Sequence, residues 1–407
     1  MVCTPKSPAR RSNKIEKSMS DTVVHYTDKK KWLWPLATIL GFIPVVAILM
    51  YMRTGYETWL WASPIFFYMF VPLIETLFGE DSSNPPREAI PMLRDDPFYR
   101  WAAFSALPVA YFTWIFGAWF VATQSVSLNG YIATLVANGL MGAGALNTAH
   151  EVGHRRDKTS LGVARYLLCL CGMGHFRIEH NLGHHVEVAT KEDSATSMMG
   201  ESFYAFVLHE LPGGFKRAWR IEKARLARKG ISAFSLENEV LLNSLITLAI
   251  YGALTAIFGL IVLPYLIGGA LLSNLMLSSA NYVEHYGLIR QKRDDGKYER
   301  VQPHHSWNAN HIVSNLLMFH LQRHSDHHAH AERPYQCLRH FDSSPQLPAG
   351  YFTMFIAAWT PPLWFWIMDK RVAEQMGGDM SKAYIMPSKR EKLMKKFHHP
   401  PTLQAAE

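Results

Sequence analysis

Apolar residues in this chain fall in long runs, not in the short alternations of a soluble fold. Residues 32–52, 59–78, 102–122 and 131–149 carry few charges, and 241–280 is a double-length run with Pro264 near its middle. A bilayer crossing takes roughly 20 mostly apolar residues, so these runs predict about six transmembrane helices. The expected fold class is therefore all-α, a polytopic membrane protein. One further apolar stretch, 351–368, is interrupted by Pro361-Pro362 and reads as a pair of interfacial helices, not as a seventh span.

The polar connections give the orientation. Between the first two runs stand Arg53 and Glu57 and little else, and neither 124–130 nor 259–266 carries a charge. The opposite connections hold Lys29, Lys30, Lys31, Arg87, Arg94, Arg100, Arg155, Arg156, the basic segment 216–229 and the basic C-terminus. The positive-inside rule makes that side cytoplasmic, and an even number of spans puts both termini there. The expected organisation is a disordered tail over 1–30, without the apolar core of a cleaved signal, and transmembrane helices over 31–285 with a cytoplasmic insert at 151–236. A cytoplasmic C-terminal region follows over 286–407. The net charge of +8 is explained by this topology, and no aromatic-studded basic motif points to nucleic acid. The four cysteines, Cys3, Cys169, Cys171 and Cys337, form no C-x-x-C pair; free thiols are expected, with neither a zinc ribbon nor a rubredoxin iron site.

The chemistry lies in the histidines. His150-Glu151-Val152-Gly153-His154 matches H-E-x-x-H, which on a helix sets two ligands on one face and raises the possibility of a membrane zinc protease. The chain has 20 histidines, however, and further clusters at His180, His184 and His185 (HNLGHH) and at His324, His327 and His328 (HSDHH). A zinc protease uses three protein ligands and has no need of these. Adjacent His184 and His185 face apart on a helix, which suits two ions. His150 ends the fourth run and His285, in NYVEHYGL, ends the sixth, so both reach the cytoplasmic surface, where the clusters would form a di-metal cap over the bundle. Spacing alone leaves His285 open between a ligand and a helix-capping residue. His304, His305, His311, His330, His398 and His399 read as surface or supporting groups, with His175 and His320 expected nearer the metals. Eight or nine neutral imidazoles without cysteine suit two redox ions with open positions for O₂. Glu151, Glu179, Glu284 and Asp326, with Asp193 soon after the second cluster, are expected to accept the far N–H of these rings; the alternative is a solvated charge.

HEVGH, EHNLGHH, NYVEHYGL and LQRHSDHHAHAERPYQ together resemble the membrane alkane 1-monooxygenases, non-haem di-iron hydroxylases, over nearly the whole chain, from about 29 to about 395. The histidine boxes alone are shared with membrane fatty-acid desaturases and xylene monooxygenases; NYVEHYGL and the long third box are narrower. The resemblance implies two iron ions held by His150, His154, His180, His184, His185, His285, His324, His327 and His328. It implies oxidation of n-alkanes to 1-alkanols with O₂ in the cell inner membrane. It also implies electrons from a rubredoxin reduced by an NADH-dependent reductase. With no rubredoxin domain in the chain, the donor is expected to be a separate, acidic protein, steered by Arg155, Arg156 and 216–229.

Substrate would enter from lipid into a slot between the spans. Ile65, Phe66, Phe67 and Tyr68 are candidate walls, with Phe67 the expected chain-length stop; the plain alternative is packing or lipid-facing aromatics. Two rival readings stay open: a desaturase or xylene-type methyl hydroxylase, and a metal-binding or transport protein. The second is disfavoured because the spans carry almost no mid-membrane ionisable groups.

Overall fold

The computed structural model describes residues 26–399. The expected tail, as far as residue 25, and Cys3 lie outside the described residues. Within them the protein is helical, with isolated β-bridges and no strand. In chain order, α1 (Lys31–Thr54), α2 (Glu57–Phe78), α3 (Pro97–Thr123) and α4 (Leu128–Gly153) are followed by α5 (Lys158–Leu170) and α6 (Phe203–Ala227). Then come α7 (Glu239–Phe258), α8 (Val262–His285), the short α9 (Ile312–Leu317) and α10 (His324–Ala329), and the pair α11 (Tyr351–Ala358) and α12 (Pro361–Gln375).

Five helices, α1, α2, α3, α7 and α8, are long and apolar enough to cross a membrane. The sixth expected span, α4, has the length, with 26 residues, but Gly, Asn and Thr lower its hydropathy. It can be less apolar because most of it is buried among the others. A Cβ at Gly139 would lie 2.7 Å from Leu272, and one at Gly142 would lie 2.1 Å from Ser273 Oγ, so α4 and α8 approach as only small residues allow. Ser273 Oγ also donates to the Gly139 carbonyl at 2.9 Å.

In α2 the residues Phe66–Phe70 form a widened π-turn just ahead of Pro72. Proline has no N–H to continue the ladder, and π-turns re-aim side chains where they occur. The foot of α2 is tied to α9 by Glu75, 3% exposed, which accepts from the Ser314 N–H at 2.9 Å and from its hydroxyl. The 351–368 stretch forms two short helices, neither long enough to span, with Trp366 80% exposed. Cys169, Cys171 and Cys337 are free and buried.

Candidate metal centre

Five structural pieces bring the histidines together. The end of α4 carries His150 and His154, the turn at 176–187 carries His180, His184 and His185, the end of α8 carries His285, and α10 carries the last three. The fifth piece, α6, packs behind the turn. His180–His184 is a π-turn, in which hydrogen-bonded partners stand five positions apart instead of four. On it His180 and His185 converge, Nε2 to Nε2 3.0 Å, while His184 turns elsewhere.

The nine rings form two groups. His150, His154, His180, His185 and His327 make one; His184, His285, His324 and His328 make the other, and within each the candidate ligand atoms all lie within 4.8 Å of one another. In the first group the Nε2 atoms of His150 and His327 are 2.9 Å apart, and those of His185 and His327 are 3.1 Å apart. In the second, His324 Nε2 lies 2.8 Å from His328 Nε2 and 3.3 Å from His285 Nε2. Neighbouring donors on one ion, each ~2.1 Å from it, stand ~3.0 Å from each other. The Nε2 atoms of His154 and His184 are buried with no hydrogen-bond partner among the described residues. Burial, reinforced by the neighbouring imidazoles, holds His180, His327 and His328 well below the ordinary histidine range. These are neutral rings with lone pairs aimed at two common points, which is the donor set a pair of metal ions requires.

The carboxylates divide into different jobs. Asp193 Oδ2 stands 3.0 Å from His184 Nδ1, the position for orienting that ring. Burial opposes the charge on Asp193, yet His184 and Arg217 hold its carboxyl well below the usual range. Glu179 reaches no imidazole; it accepts from Arg217, whose guanidinium also donates to Asp193 Oδ1 at 2.7 Å and Glu187 at 2.9 Å. Glu151 accepts from the Tyr335 N–H at 3.2 Å, and Asp326 is bound by Arg333 at 2.6 Å and the Arg339 N–H at 2.8 Å. Glu284 accepts from Tyr351 at 3.0 Å, and its other oxygen stands 3.2 Å from His324 Nε2, on the metal side of the ring and not the far side. The far-side role expected for Glu151, Glu179, Glu284 and Asp326 is thus replaced by contacts to backbone, arginine, tyrosine and a ligand-side nitrogen. Sequence reading missed Arg217 as a clamp: it belongs to the segment expected to be a basic surface, but it is 5% exposed. Only its place on the buried face of α6, four residues beyond Gly213, hints at it.

His175 and His320 join neither group. His175 packs edge-on to Phe215, and His320 Nδ1 stands 2.9 Å from the Tyr335 carbonyl beside Trp34. Glu299, His304 and His305 form a third small cluster, but the two nitrogens of His305 are occupied by the Gln302 N–H at 2.9 Å and Glu299 at 3.2 Å.

A slot lined mostly by apolar side chains runs between α1, α2, α3, α4, α8 and α11. Phe67 and Tyr68 line it, with Phe67 stacked on Phe352 at 5.5 Å; Ile65 and Phe66 do not. A smaller cavity of about 200 Å³ touches His150 and His327, and it shares Asn147, Met318 and Leu321 with the slot.

Comparison with known proteins agrees with this geometry. The family model described as fatty acid desaturase matches residues 126–358. Alkane 1-monooxygenase 1 of Alcanivorax borkumensis is 45% identical over 91% of this chain and 92% of its own length. An alkane 1-monooxygenase of Ectopseudomonas oleovorans is 45% identical over 93% and 94%. More distant is the xylene/toluene monooxygenase hydroxylase component of Pseudomonas putida, 29% identical over 63% of this chain and 66% of that protein. A membrane-embedded helical bundle, a two-group histidine metal site and full-length similarity of this degree place the chain in one family: it belongs to the membrane alkane 1-monooxygenases of the fatty acid desaturase superfamily.

Proposed function

We propose that this protein hydroxylates n-alkanes at the terminal carbon: RCH₃ + O₂ + 2e⁻ + 2H⁺ → RCH₂OH + H₂O. The observation that carries the reading is the apolar slot between the spans, which leads through a shared wall to two histidines of the five-membered group. The nine histidines would hold two iron ions, His150, His154, His180, His185 and His327 around one and His184, His285, His324 and His328 around the other. These ions supply the O₂ activation and one-electron chemistry that an alkane, without acidic proton or polar handle, demands.

The chain's own residues do the rest. The slot takes substrate laterally from the bilayer, and its apolar walls, among them Phe67, Leu140, Met276 and Phe352, hold the alkyl chain away from water. Asp193, itself held by Arg217, fixes the ring of His184. Residues 31–285 form the membrane part, 286–407 the cytoplasmic C-terminal region, and the protein sits in the inner membrane with both termini and the metal centre cytoplasmic, a placement that the basic connections support.

Two electrons per turnover come from a separate rubredoxin, reduced by its NADH-dependent reductase. Its landing point is the exposed pair Leu182 and Val186, 51% and 64% accessible, on either side of the ligands His184 and His185. This pair lies between two basic elements. Asn181 is hydrogen-bonded to Gly153 next to Arg155 and Arg156, and Arg290 donates to the Val186 carbonyl at 2.9 Å. An acidic partner docked there is a few bonds from His185.

The deciding experiment is product analysis with octane, ¹⁸O₂, rubredoxin, reductase and NADH on the iron-loaded protein. Labelled 1-octanol is the expected result. Absence of labelled alcohol with the metals in place would overturn the reading in favour of a desaturase acting on acyl chains.

A further inference from the structure

We infer that Asn147 is the group that receives the new hydroxyl: its Oδ1 accepts a hydrogen bond from the 1-alkanol as oxygen enters the chain end, at the junction of slot and metal centre. The inference rests on the alkane-hydroxylase reading above and adds a residue to it.

Asn147 sits on α4, one turn before His150, so both point to the same side of the helix. It is 6% exposed and lines both the slot and the small cavity that reaches His150 and His327. Its Nδ2 donates at 2.9 Å to the carbonyl of Met318, the residue that closes α9. That carbonyl also accepts from the Leu321 N–H at 3.1 Å, in a turn through Phe319 and His320 with φ of 50° and 55°. The bond fixes which way the amide points. With the NH₂ committed to Met318, Oδ1 is the free end, and among the described residues it accepts no hydrogen bond.

Of the polar side chains described along the slot, Thr38, Tyr68, Asn147 and Thr148, Asn147 alone also lines the small cavity at His150 and His327. Tyr68 turns its hydroxyl to Met276 Sδ at 3.0 Å, Thr148 donates to the Gly144 carbonyl at 3.0 Å, and Thr38 donates to the Pro35 carbonyl at 3.0 Å. An amide oxygen that accepts no hydrogen bond is poorly served in an otherwise apolar slot, and an alkane cannot relieve it. A 1-alkanol can, because its O–H is generated at the chain end that has passed Asn147 toward His150 and His327. Asn147 therefore discriminates product from substrate at the reacting end, holding the alkanol with C1 toward the five-histidine group. It is a positioning residue; no bond to it is made or broken.

Two measurements test this on iron-loaded enzyme in nanodiscs, both by competition against radiolabelled dodecane. In the parent, 1-octanol should bind about tenfold more tightly than 1-fluorooctane, which has similar size but no O–H to donate. In Asn147→Leu, with iron content checked against the parent, the ratio of 1-octanol to 1-fluorooctane affinity should fall to about one, and Asn147→Gln, which keeps the amide oxygen, should retain the parent's preference. Equal binding of the two ligands by the parent overturns the inference, and so does a preference that survives in Asn147→Leu. If that variant fails to load iron, the ligand comparison in the parent decides alone. A parent that binds neither octane nor 1-octanol would instead overturn the hydroxylase reading beneath it.

Discussion

His184 and His185 are neighbours in the chain, yet they face different metal groups. His184 is held by Asp193 at 3.0 Å and joins His285, His324 and His328; His185 Nε2 lies 3.1 Å from His327 Nε2 and joins the other five-membered set. Substituting either should therefore empty a different position. His184→Ala and His185→Ala should each fall from two irons per chain to about one, with distinct surviving Mössbauer signals and no turnover in either. Identical residual spectra would show that the two rings serve one ion.

Arg217 sits among Glu179, Glu187 and Asp193 with almost no access to water. Removing the cation leaves buried carboxylates without compensation, a loss of about 3–5 kcal/mol in comparable pairs. Arg217→Leu should lower the thermal inactivation midpoint sharply. Asp193→Asn should be milder in stability but should weaken iron binding about 10–100-fold, because it acts through the ring of His184. Chelator-competition titrations separate the two.

Phe67 stacks on Phe352 across the slot. Phe67→Ala should open that point and move the product profile toward longer alkanes, measured with an equimolar C8–C16 mixture. An unchanged profile would leave Phe67 as packing only.

Glu210 on α6 is 8% exposed and accepts from Ser278 at 2.7 Å and Asn281 at 3.0 Å. Burial raises its pKa to about 7, helped by the nearby charges of Glu179 and Asp193 and opposed by the Ser278 and Asn281 hydrogen bonds. The unfolded chain has its glutamate near ~4.3, so between there and about 7 the folded state binds more protons, and stability falls as pH rises through that window. Glu210→Gln should flatten this slope, seen as a smaller drop in inactivation midpoint between pH 5 and pH 8.

Charge reversal beside the exposed Leu182–Val186 pair should slow electron delivery. Arg156→Glu should raise the KM for rubredoxin about tenfold and weaken its salt dependence, with kcat at saturating donor unchanged. No change in KM would move the docking surface elsewhere.

The sequence made the spans and the nine histidines legible for a physical reason: apolar run length and ligand chemistry both act through residue type alone. The partition of the histidines was less legible. Regular α-helical spacing would set His180 with His184, four apart, but the π-turn sets it with His185 instead, and nothing in HNLGHH announces an extra residue per turn. The carboxylates were misleading because adjacency in sequence says little about direction. Glu151 and Glu179 sit next to ligands yet turn to Tyr335 and Arg217, partners more than thirty residues away. The modest hydropathy of α4 likewise follows from its neighbours, since a helix sheltered by others can keep polar and small residues.

Those small residues reach further than packing. The helix that carries His150 and the helix that carries His285 touch at Gly139 and Gly142, where no side chain fits between them. His150 lies about 12 Å up the helix from Gly142, eight residues at 1.5 Å each. The spacing of the two histidine groups is thus inherited from the close helix contact at Gly139 and Gly142, as the width of a hinge sets the gap of a gate. A single methyl group introduced there would be felt at two histidine groups it never touches.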